Sequence, residues 1–351
     1  MESRLQEHQR VAGAAARGRW AHTFSALDLG TNNCTLLVAR PSAEGFRIDD
    51  AFSRIVRLGE GVGTSGRLSE PAMTRTIGAL RVCAAKMRDN RVTRAWNVAT
   101  EACRRADNCD QFLSRVKAET GLELEIISTD EEARLVMDGC IALLEEGVRQ
   151  ALVFDIGGGS TELIWLGREA GAAPEMIAWT SLDSGVVTLA ERYGSGRISA
   201  EVYDAMLGEV AERLRPFEAA HAIRPQAAAG ELQMLGTSGT VTTVAAVHLG
   251  LRRYRRDRVD GAWVSVEEIR RVAHRLAEMD YDARAAHPCI GRGRADLVVA
   301  GCAILEAIMR AWPAGRVRVA DRGVREGILR ALVREADREA AAGQPNASAA
   351  S

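Results

Sequence analysis

The chain has 351 residues, 47% hydrophobic and 26% charged, with 46 basic against 47 acidic side chains and a formal net charge of −1. That is globular composition, long enough for two cored domains, and its balanced charge argues against a dedicated nucleic-acid binder, which carries a basic surplus. No apolar run approaches the ~18–20 residues of a membrane-crossing helix, and the seven cysteines, odd in number and without Cys-x-x-Cys spacing, read as reduced thiols of a cytoplasmic protein.

The N-terminal segment is polar and lacks the apolar centre of a signal peptide; residues 1–22 and the Ala/Ser-rich 339–351 read as disordered tails. Phe24 to Ala39 is an apolar run ending at Asp28, a short loop from Gly30 to Asn33, and a second apolar run: strand, turn, strand. Phe46–Ile48 and Phe52–Leu58 continue it as a meander. Gly61, Gly63 and Gly66 match Gly-x-Gly-x-x-Gly but do not run into a helix, so a flexible loop is expected rather than a dinucleotide site. Ser69 caps a helix with Pro71 in its first turn, running to about Asn90.

Arg94–Thr100 reads as a strand, with Glu101-Ala-Cys-Arg104-Arg105 turning off its carboxyl end, where open α/β sheets place ligands. Arg104 there is either a bidentate phosphate ligand or a solvated surface arginine. A helix over Asp110–Thr120 and a strand over Leu122–Ile127 follow. Thr129 and Glu132 then have capping-box spacing. Glu132 is therefore either a helix-start residue or a general base at the mouth of a site.

Val153 to Ile164 repeats the strand–loop–strand pattern around Asp155, Gly157, Gly158, Gly159 and Ser160. Glycines without Cβ let backbone N–H groups converge into an anion nest, and Asp155 at the loop mouth suits a divalent cation or its waters. A Gly-rich hairpin turn is the plain alternative. Asp28 aligns with Asp155, Gly30 with Gly157, Asn33 with Ser160 and Leu36 with Leu163, 127 positions apart. That repeat points to two related domains, each opening with a phosphate hairpin.

Ile177–Leu182 reads as a strand, Ser184-Gly185-Val186 opens a helix ending near Tyr193, and Ile198–Ala222 is a long amphipathic helix. The strand Glu231–Leu235 runs into Gly236-Thr237-Ser238-Gly239-Thr240 and a helix over 241–249, an anion site by its dipole and free N–H groups. Arg252, Arg253, Arg255, Arg256 and Arg258 make either a solvated basic helix end or a landing strip for a polyanion. Ser265 and Glu268 form a capping box, Arg292–Asp296 opens a helix to about Met309, Val317–Ala320 is a strand, and a last helix starts at Val324. The histidines lack paired ligand spacing, and neither lysine, Lys86 nor Lys117, follows a Gly-rich loop, so no P-loop exists.

Together these pieces resemble the Ppx/GppA phosphatases, the exopolyphosphatases and guanosine pentaphosphate phosphohydrolases, from about Phe24 to Leu332. The resemblance rests on Leu27-Asp-Leu-Gly-Thr-Asn-Asn33, Ala99-Thr-Glu-Ala-Cys-Arg104, Glu131-Glu-Ala-Arg-Leu135, Phe154-Asp-Ile-Gly-Gly-Gly-Ser-Thr-Glu162 and Gly236-Thr-Ser-Gly-Thr240. Arg258-Val-Asp-Gly261, Gly293-Arg-Ala-Asp296 and Val324-Arg-Glu-Gly327 add to it. It implies the α/β fold of the actin-like ATPase superfamily: two ribonuclease-H-like domains with mixed five-stranded sheets around a cleft. Expected bounds are 23–148 and 149–326, with a helix over 327–338 packing back on the first domain.

The resemblance further implies release of orthophosphate from the end of polyphosphate, or of the 5′-phosphate of guanosine pentaphosphate (pppGpp), with Mg²⁺ or another divalent cation. Glu132 and Glu162 would be catalytic and Asp28, Asp155 and Glu162 the metal set. The phosphate set would be Asn32, Asn33, Arg104, Gly157, Gly158, Gly159, Ser160, Gly236, Thr237, Ser238 and Gly239. An actin-like sugar kinase or nucleotide-gated binding protein is the rival of another class. Asn33 stands where relatives often carry serine and Asp260 where many carry histidine. Longer relatives add a helical C-terminal module, for which a homodimer would substitute; nucleic acid and membrane are not expected partners.

Overall fold

A computed structural model of the chain describes residues 18–43, 45–169 and 171–342. In the first half, β1 (Phe24–Leu29), β2 (Asn33–Ser42), β3 (Gly45–Ile55), β4 (Arg94–Ala99) and β5 (Glu125–Ile126) make one sheet in the order β3-β2-β1-β4-β5. In the second, β6 (Gln150–Ile156), β7 (Thr161–Gly167), β8 (Glu175–Leu182), β9 (Leu232–Thr237), β10 (Trp263–Ser265) and β11 (Arg316–Ala320) are ordered β10-β11-β9-β6-β7-β8. The central strands β1, β6 and β9 are buried on both faces, which is why they read as continuous apolar runs. Edge strand β3 is largely exposed.

The repeat read from sequence is a structural duplication. β1 runs antiparallel to β2 and parallel to β4, as β6 does to β7 and β9. Asp28 faces Thr35 across the first hairpin, and Asp155 faces Glu162 at the same station of the second. One backbone bond closes both turns: Gly30 N–H to the Asn33 carbonyl and Gly157 N–H to the Ser160 carbonyl, each 2.9 Å. The architecture is the actin-like pair of ribonuclease-H-like α/β halves.

Several expectations need correction. The second sheet has six strands, because Trp263–Ser265 pairs with β11 before its capping box starts the helix Val266–Glu278. β3 is a single strand, with a register shift on β2 at Val38/Ala39. The helix expected from Arg292 begins at Val298, and residues 292–297 are turns. The last helix runs Val324–Ala342, longer than 327–338 at both ends. Residues 1–17 and 343–351 of the expected tails lie outside the described residues. Gly18–Ala21 is a 3-10 turn whose Arg19 pairs with Asp337.

Two cores fill the outer layers, one per half, and a third lies between the sheets. That middle core joins Phe24, Leu37, Val153 and Ile164 of the two sheets to Leu135, Val136, Ile328 and Leu332 of the helices Thr129–Cys140 and Val324–Ala342. The helices approach so closely that a Cβ on Gly139 would stand 2.0 Å from the Gly323 carbonyl oxygen, and one on Gly327 2.1 Å from that of Leu135. Glycine is required at that crossing, and the crossing fixes where the first turn of Thr129–Cys140 points. No helix of the described residues is long and apolar enough to cross a membrane.

Candidate active site

A cleft of about 530 Å³ opens between the halves at the carboxyl ends of β1, β4, β6 and β9. Its floor is the two hairpin loops, which touch. A Cβ on Gly158 would meet the Thr31 Cβ at 2.9 Å and the Asn32 nitrogen at 3.2 Å; one on Gly159 would meet the Glu101 Cγ at 2.9 Å. None of Gly157, Gly158 and Gly159 has a positive φ; close approach of the other half demands Gly158 and Gly159, and the Ser160 carbonyl of its own turn, 2.9 Å from a Cβ, demands Gly157. Among the described residues no protein acceptor takes the N–H groups of Thr31, Asn32, Gly158, Gly159 and Ser160. Val186 and Val187 N–H, at a helix start, hold the Gly157 and Gly158 carbonyls at 3.0 and 2.8 Å.

The third loop is shorter than expected. Gly236 and Thr237 belong to β9, and Gly236 packs on the Phe154 ring rather than lining the cleft. The helix Ser238–His248 starts at the cleft wall, its first N–H groups uncapped by the Thr237 side chain, whose Oγ1 donates to the Arg322 carbonyl at 2.7 Å. Ser238 takes φ 97°, a left-handed conformation rare for serine. Thr237, Ser238 and Gly239 line the cleft.

Glu132 is not the capping residue of its helix. Ser128, not Thr129, is the N-cap, accepting from Glu131 N–H at 3.1 Å. Glu132 is therefore one position past the capping-box station, and its buried carboxyl faces the cleft. Its Oε2 lies 2.8 Å from Arg104 Nη1, off the hydrogen-bonding direction, since that nitrogen donates to the Ile127 carbonyl at 3.0 Å. Oε2 is thus a buried oxygen with a cation beside it and no hydrogen-bond donor. Burial, then the charge of Glu162, raises the Glu132 carboxyl well above the ordinary carboxylate range against the pull of Arg104.

Asp28 and Asp155 flank the cleft floor from equivalent strands. Burial pushes Asp155 up to about 8, with like charge from Glu162 and Asp28 adding to it. Asp28 rises to about 6, burial outweighing Arg325 and the Thr35 hydroxyl. Glu162 is also raised by burial, although Ser160 and Ser181 donate to its Oε1 at 2.7 and 2.9 Å. The Ser160 hydroxyl is committed to Glu162, so only its backbone N–H remains for an anion.

Arg104 does not line the cleft. Its Nε and Nη2 sit on Glu101 Oε2 at 3.2 and 3.0 Å, which makes it a clamp between two carboxylates rather than a free phosphate ligand. Of the Arg252–Arg258 cluster only Arg256 reaches the cleft, and it pairs with Glu326. Asp260 forms an ion pair with Arg322 and accepts from Asp321 N–H at 3.0 Å, a structural role. Sequence reasoning assigned no role to Glu101, Arg294, Arg325 and Tyr254, all on the cleft wall. Arg294 and Arg325 make no ion pair among the described residues. Their signal was membership of the Gly293-Arg-Ala-Asp and Val324-Arg-Glu-Gly motifs.

A sequence profile described as the Ppx/GppA phosphatase family matches residues 37–336. The chain belongs to the Ppx/GppA phosphatase family. Among solved structures, an exopolyphosphatase-like protein is 27% identical with a TM-score of 0.80, over 89% of this chain and 99% of that one. The Ppx/GppA family member of Aquifex aeolicus is 27% identical with a TM-score of 0.71, over 91% and 98%. An exopolyphosphatase from Cytophaga hutchinsonii, 24% identical over 89% and 98%, shares the fold with a TM-score of 0.80.

A Ppx/GppA phosphatase hydrolyses a phosphate compound, and the family is generally dependent on a divalent cation. Among the described residues no three Asp, Glu, His or Cys side chains converge as a cation cage. Asp28 and Asp155 nevertheless stand on the cleft wall, and after burial and Glu162 the charge of Asp28 adds to the raised proton affinity of Asp155. That donor set fits Mg²⁺, which takes one or two carboxylates and completes its shell with water and substrate phosphate.

Proposed function

We propose that the chain is an exopolyphosphatase that hydrolyses the terminal phosphoanhydride of inorganic polyphosphate, with Glu132 as general base. The observation that carries this reading is the Glu132 carboxylate, buried between two hairpin loops whose unpaired N–H groups face one cleft. The terminal phosphoryl group rests on the N–H groups of Thr31, Asn32, Gly158, Gly159 and Ser160. Glu132 takes a proton from water as the water oxygen bonds to phosphorus and the bridging P–O bond breaks, leaving orthophosphate and a chain one unit shorter. Asp28 and Asp155, with Glu162 nearby, would hold Mg²⁺, which when bound would supply charge neutralisation for the phosphate oxygens. The raised proton affinity of Glu132, from burial and then the charge of Glu162, makes it a stronger base than an exposed glutamate.

Arg294 and Arg325, two cations on the cleft wall that make no ion pair among the described residues, favour a substrate whose charge repeats along its length. A second reading, pppGpp 5′-phosphatase, is favoured by Tyr254, an aromatic 38% exposed on the same wall, where a purine could stack. The seven free cysteines suit the reducing cytoplasm that either reading places it in. Phosphate release from polyphosphate, pppGpp and ATP, side by side with and without Mg²⁺, tests the assignment. Polyphosphate is expected to be cleaved fastest and only with the cation; faster release from pppGpp selects the second reading.

A further inference from the structure

Two carboxylates on the cleft wall are left unused by the hydrolytic scheme, Asp321, which accepts from the Tyr254 hydroxyl, and Glu101. Glu101 follows β4 directly, in the short helix Glu101–Arg105, with its Cγ against Gly159 of the second hairpin loop. Its two oxygens face two arginines. Oε2 accepts from Nε and Nη2 of Arg104 along the side of the guanidinium, and Oε1 lies 3.8 Å from Arg105 Nη1. Arg105 in turn reaches Asp183 of the second half at 2.5 Å. Glu101 and Arg104 side chains are 17% and 16% exposed, so the pair is screened little by water.

The partners of Arg104 use nearly all of its fork. Nε and Nη2 are taken by Glu101 and Nη1 by the Ile127 carbonyl, which leaves Nη1 pressed against Glu132 Oε2 at 2.8 Å. A guanidinium held side-on by a carboxylate cannot rotate about its long axis without breaking both bonds at once. Nothing else among the described residues restrains Glu132 Oε2, which has no hydrogen-bond donor. The orientation of the base therefore depends on the arginine, and that of the arginine on Glu101.

We propose that Glu101 is a positioning residue of the hydrolytic site: it locks Arg104 side-on so that Arg104 fixes the Glu132 carboxylate in the cleft. This inference rests on the reading of Glu132 as the base. Glu101 acts through Arg104 rather than on the substrate, so its loss slows turnover without weakening substrate binding. Its contact with Gly159 also ties the arginine of the first half to the phosphate loop of the second.

The test is a kinetic cycle on polyphosphate with Mg²⁺, using Glu101→Gln, Glu101→Asp, Arg104→Met and the double variant Glu101→Gln/Arg104→Met. Glu101→Gln is expected to lower kcat about tenfold with KM changed less than about twofold, because displacing a reacting group costs rate more than affinity. Glu101→Asp, which keeps the charge, is expected to recover much of that loss. In the Arg104→Met background the second substitution is expected to cost nothing further, since the lock has nothing left to hold. Equal losses in both backgrounds, or an effect on KM alone, overturn the proposal. Crystals of wild type and Glu101→Gln give a readout independent of turnover: the Glu132 carboxylate is expected to shift or disorder in the variant, and an unmoved, ordered carboxylate also overturns it. Wild-type protein that releases no phosphate instead defeats the reading of function, and the crystals still decide the positioning role.

Discussion

At the scale of single residues the site is a set of carboxylates whose charges the fold leaves poorly compensated. Glu132 is expected to be the reacting one. Glu132→Gln keeps its volume and removes the proton acceptor, so turnover is expected to fall by ~10²–10⁴-fold while substrate affinity is retained. Phosphate release and isothermal titration with polyphosphate check this; near-normal turnover removes Glu132 from the mechanism. Asp155 gives a prediction about stability. Its carboxyl ionises near 3.8 in an unstructured chain and near 8 in the fold. A raised folded value means that the native state binds the extra proton, so stability falls as pH rises between those two values. Asp155→Asn, which cannot ionise, is accordingly expected to melt several degrees above wild type at pH 9 and to lose that advantage at pH 4. Mg²⁺ added at pH 9 is expected to narrow the gap by stabilising the wild type alone. Melting curves at the two pH values with and without Mg²⁺ check it, and a gap independent of pH refutes it.

At the scale of elements the two hairpins were legible in the sequence because their information is local. An apolar run, an acid, a glycine and a second apolar run specify strand, turn and strand without reference to the rest of the chain. The offset of 127 positions then aligned Asp28 with Asp155 and Leu36 with Leu163, and the two ladders place both aspartates at the same station of their hairpins, opposite Thr35 and Glu162. What was not legible is what two elements decide together. Gly158 and Gly159 read as part of an anion nest or a hairpin turn, and only the approach of Thr31 and Glu101 reveals a steric requirement. The capping box read at Thr129 and Glu132 was one residue late, since the neighbouring Ser128 also carries a hydroxyl and the backbone makes Ser128 the cap. Arg104 looked like a phosphate ligand until Glu101 and Glu132 were seen on its two sides. The loop contact yields a prediction. Gly158→Ala inserts a methyl group 2.9 Å from the Thr31 Cβ and 3.3 Å from that of Asn32, so the two phosphate loops must separate. KM for polyphosphate is expected to rise about tenfold or more, with a melting temperature lowered by an overpacking cost of about 1–3 kcal/mol. Gly147→Ala, at φ 82° with open space around it, is the control for backbone strain alone, expected to lower stability and leave KM unchanged.

At the scale of the whole molecule the duplication gives each half one of the two loops on the cleft floor, so the proposed phosphate site needs both halves. The middle core makes the halves one folding unit on the side away from the cleft, with the helices Thr129–Cys140 and Val324–Ala342 packed between the sheets. Across the cleft mouth the connection is polar. Arg57, after β3, makes two bonds to Asp296, 2.7 Å from Nη1 and 2.9 Å from Nη2, and its Nη2 also donates to the Gly293 carbonyl at 3.3 Å. Ile55 packs so tightly on Gly293 that a Cβ there would lie 2.3 Å from the Ile55 Cδ1. No local pattern in the sequence hinted at this strut, since its partners lie 239 residues apart. With Arg57 31% and Asp296 17% exposed, removing one partner strands a half-desolvated charge, whereas removing both does not. Arg57→Met is therefore expected to destabilise the protein by about 1–3 kcal/mol, and Arg57→Met/Asp296→Leu to recover most of that. Hydrogen exchange is expected to rise in Arg57→Met at the end of β3 and over residues 287–297, but not in Thr129–Cys140, which the middle core holds. Additive losses in the double variant, with no change in exchange at the mouth, are the outcome that a cosmetic surface contact produces. The expected pattern instead makes the mouth a hinge side and the middle core a fixed side, so the cleft opens by breaking a few contacts at its mouth rather than by repacking the middle core.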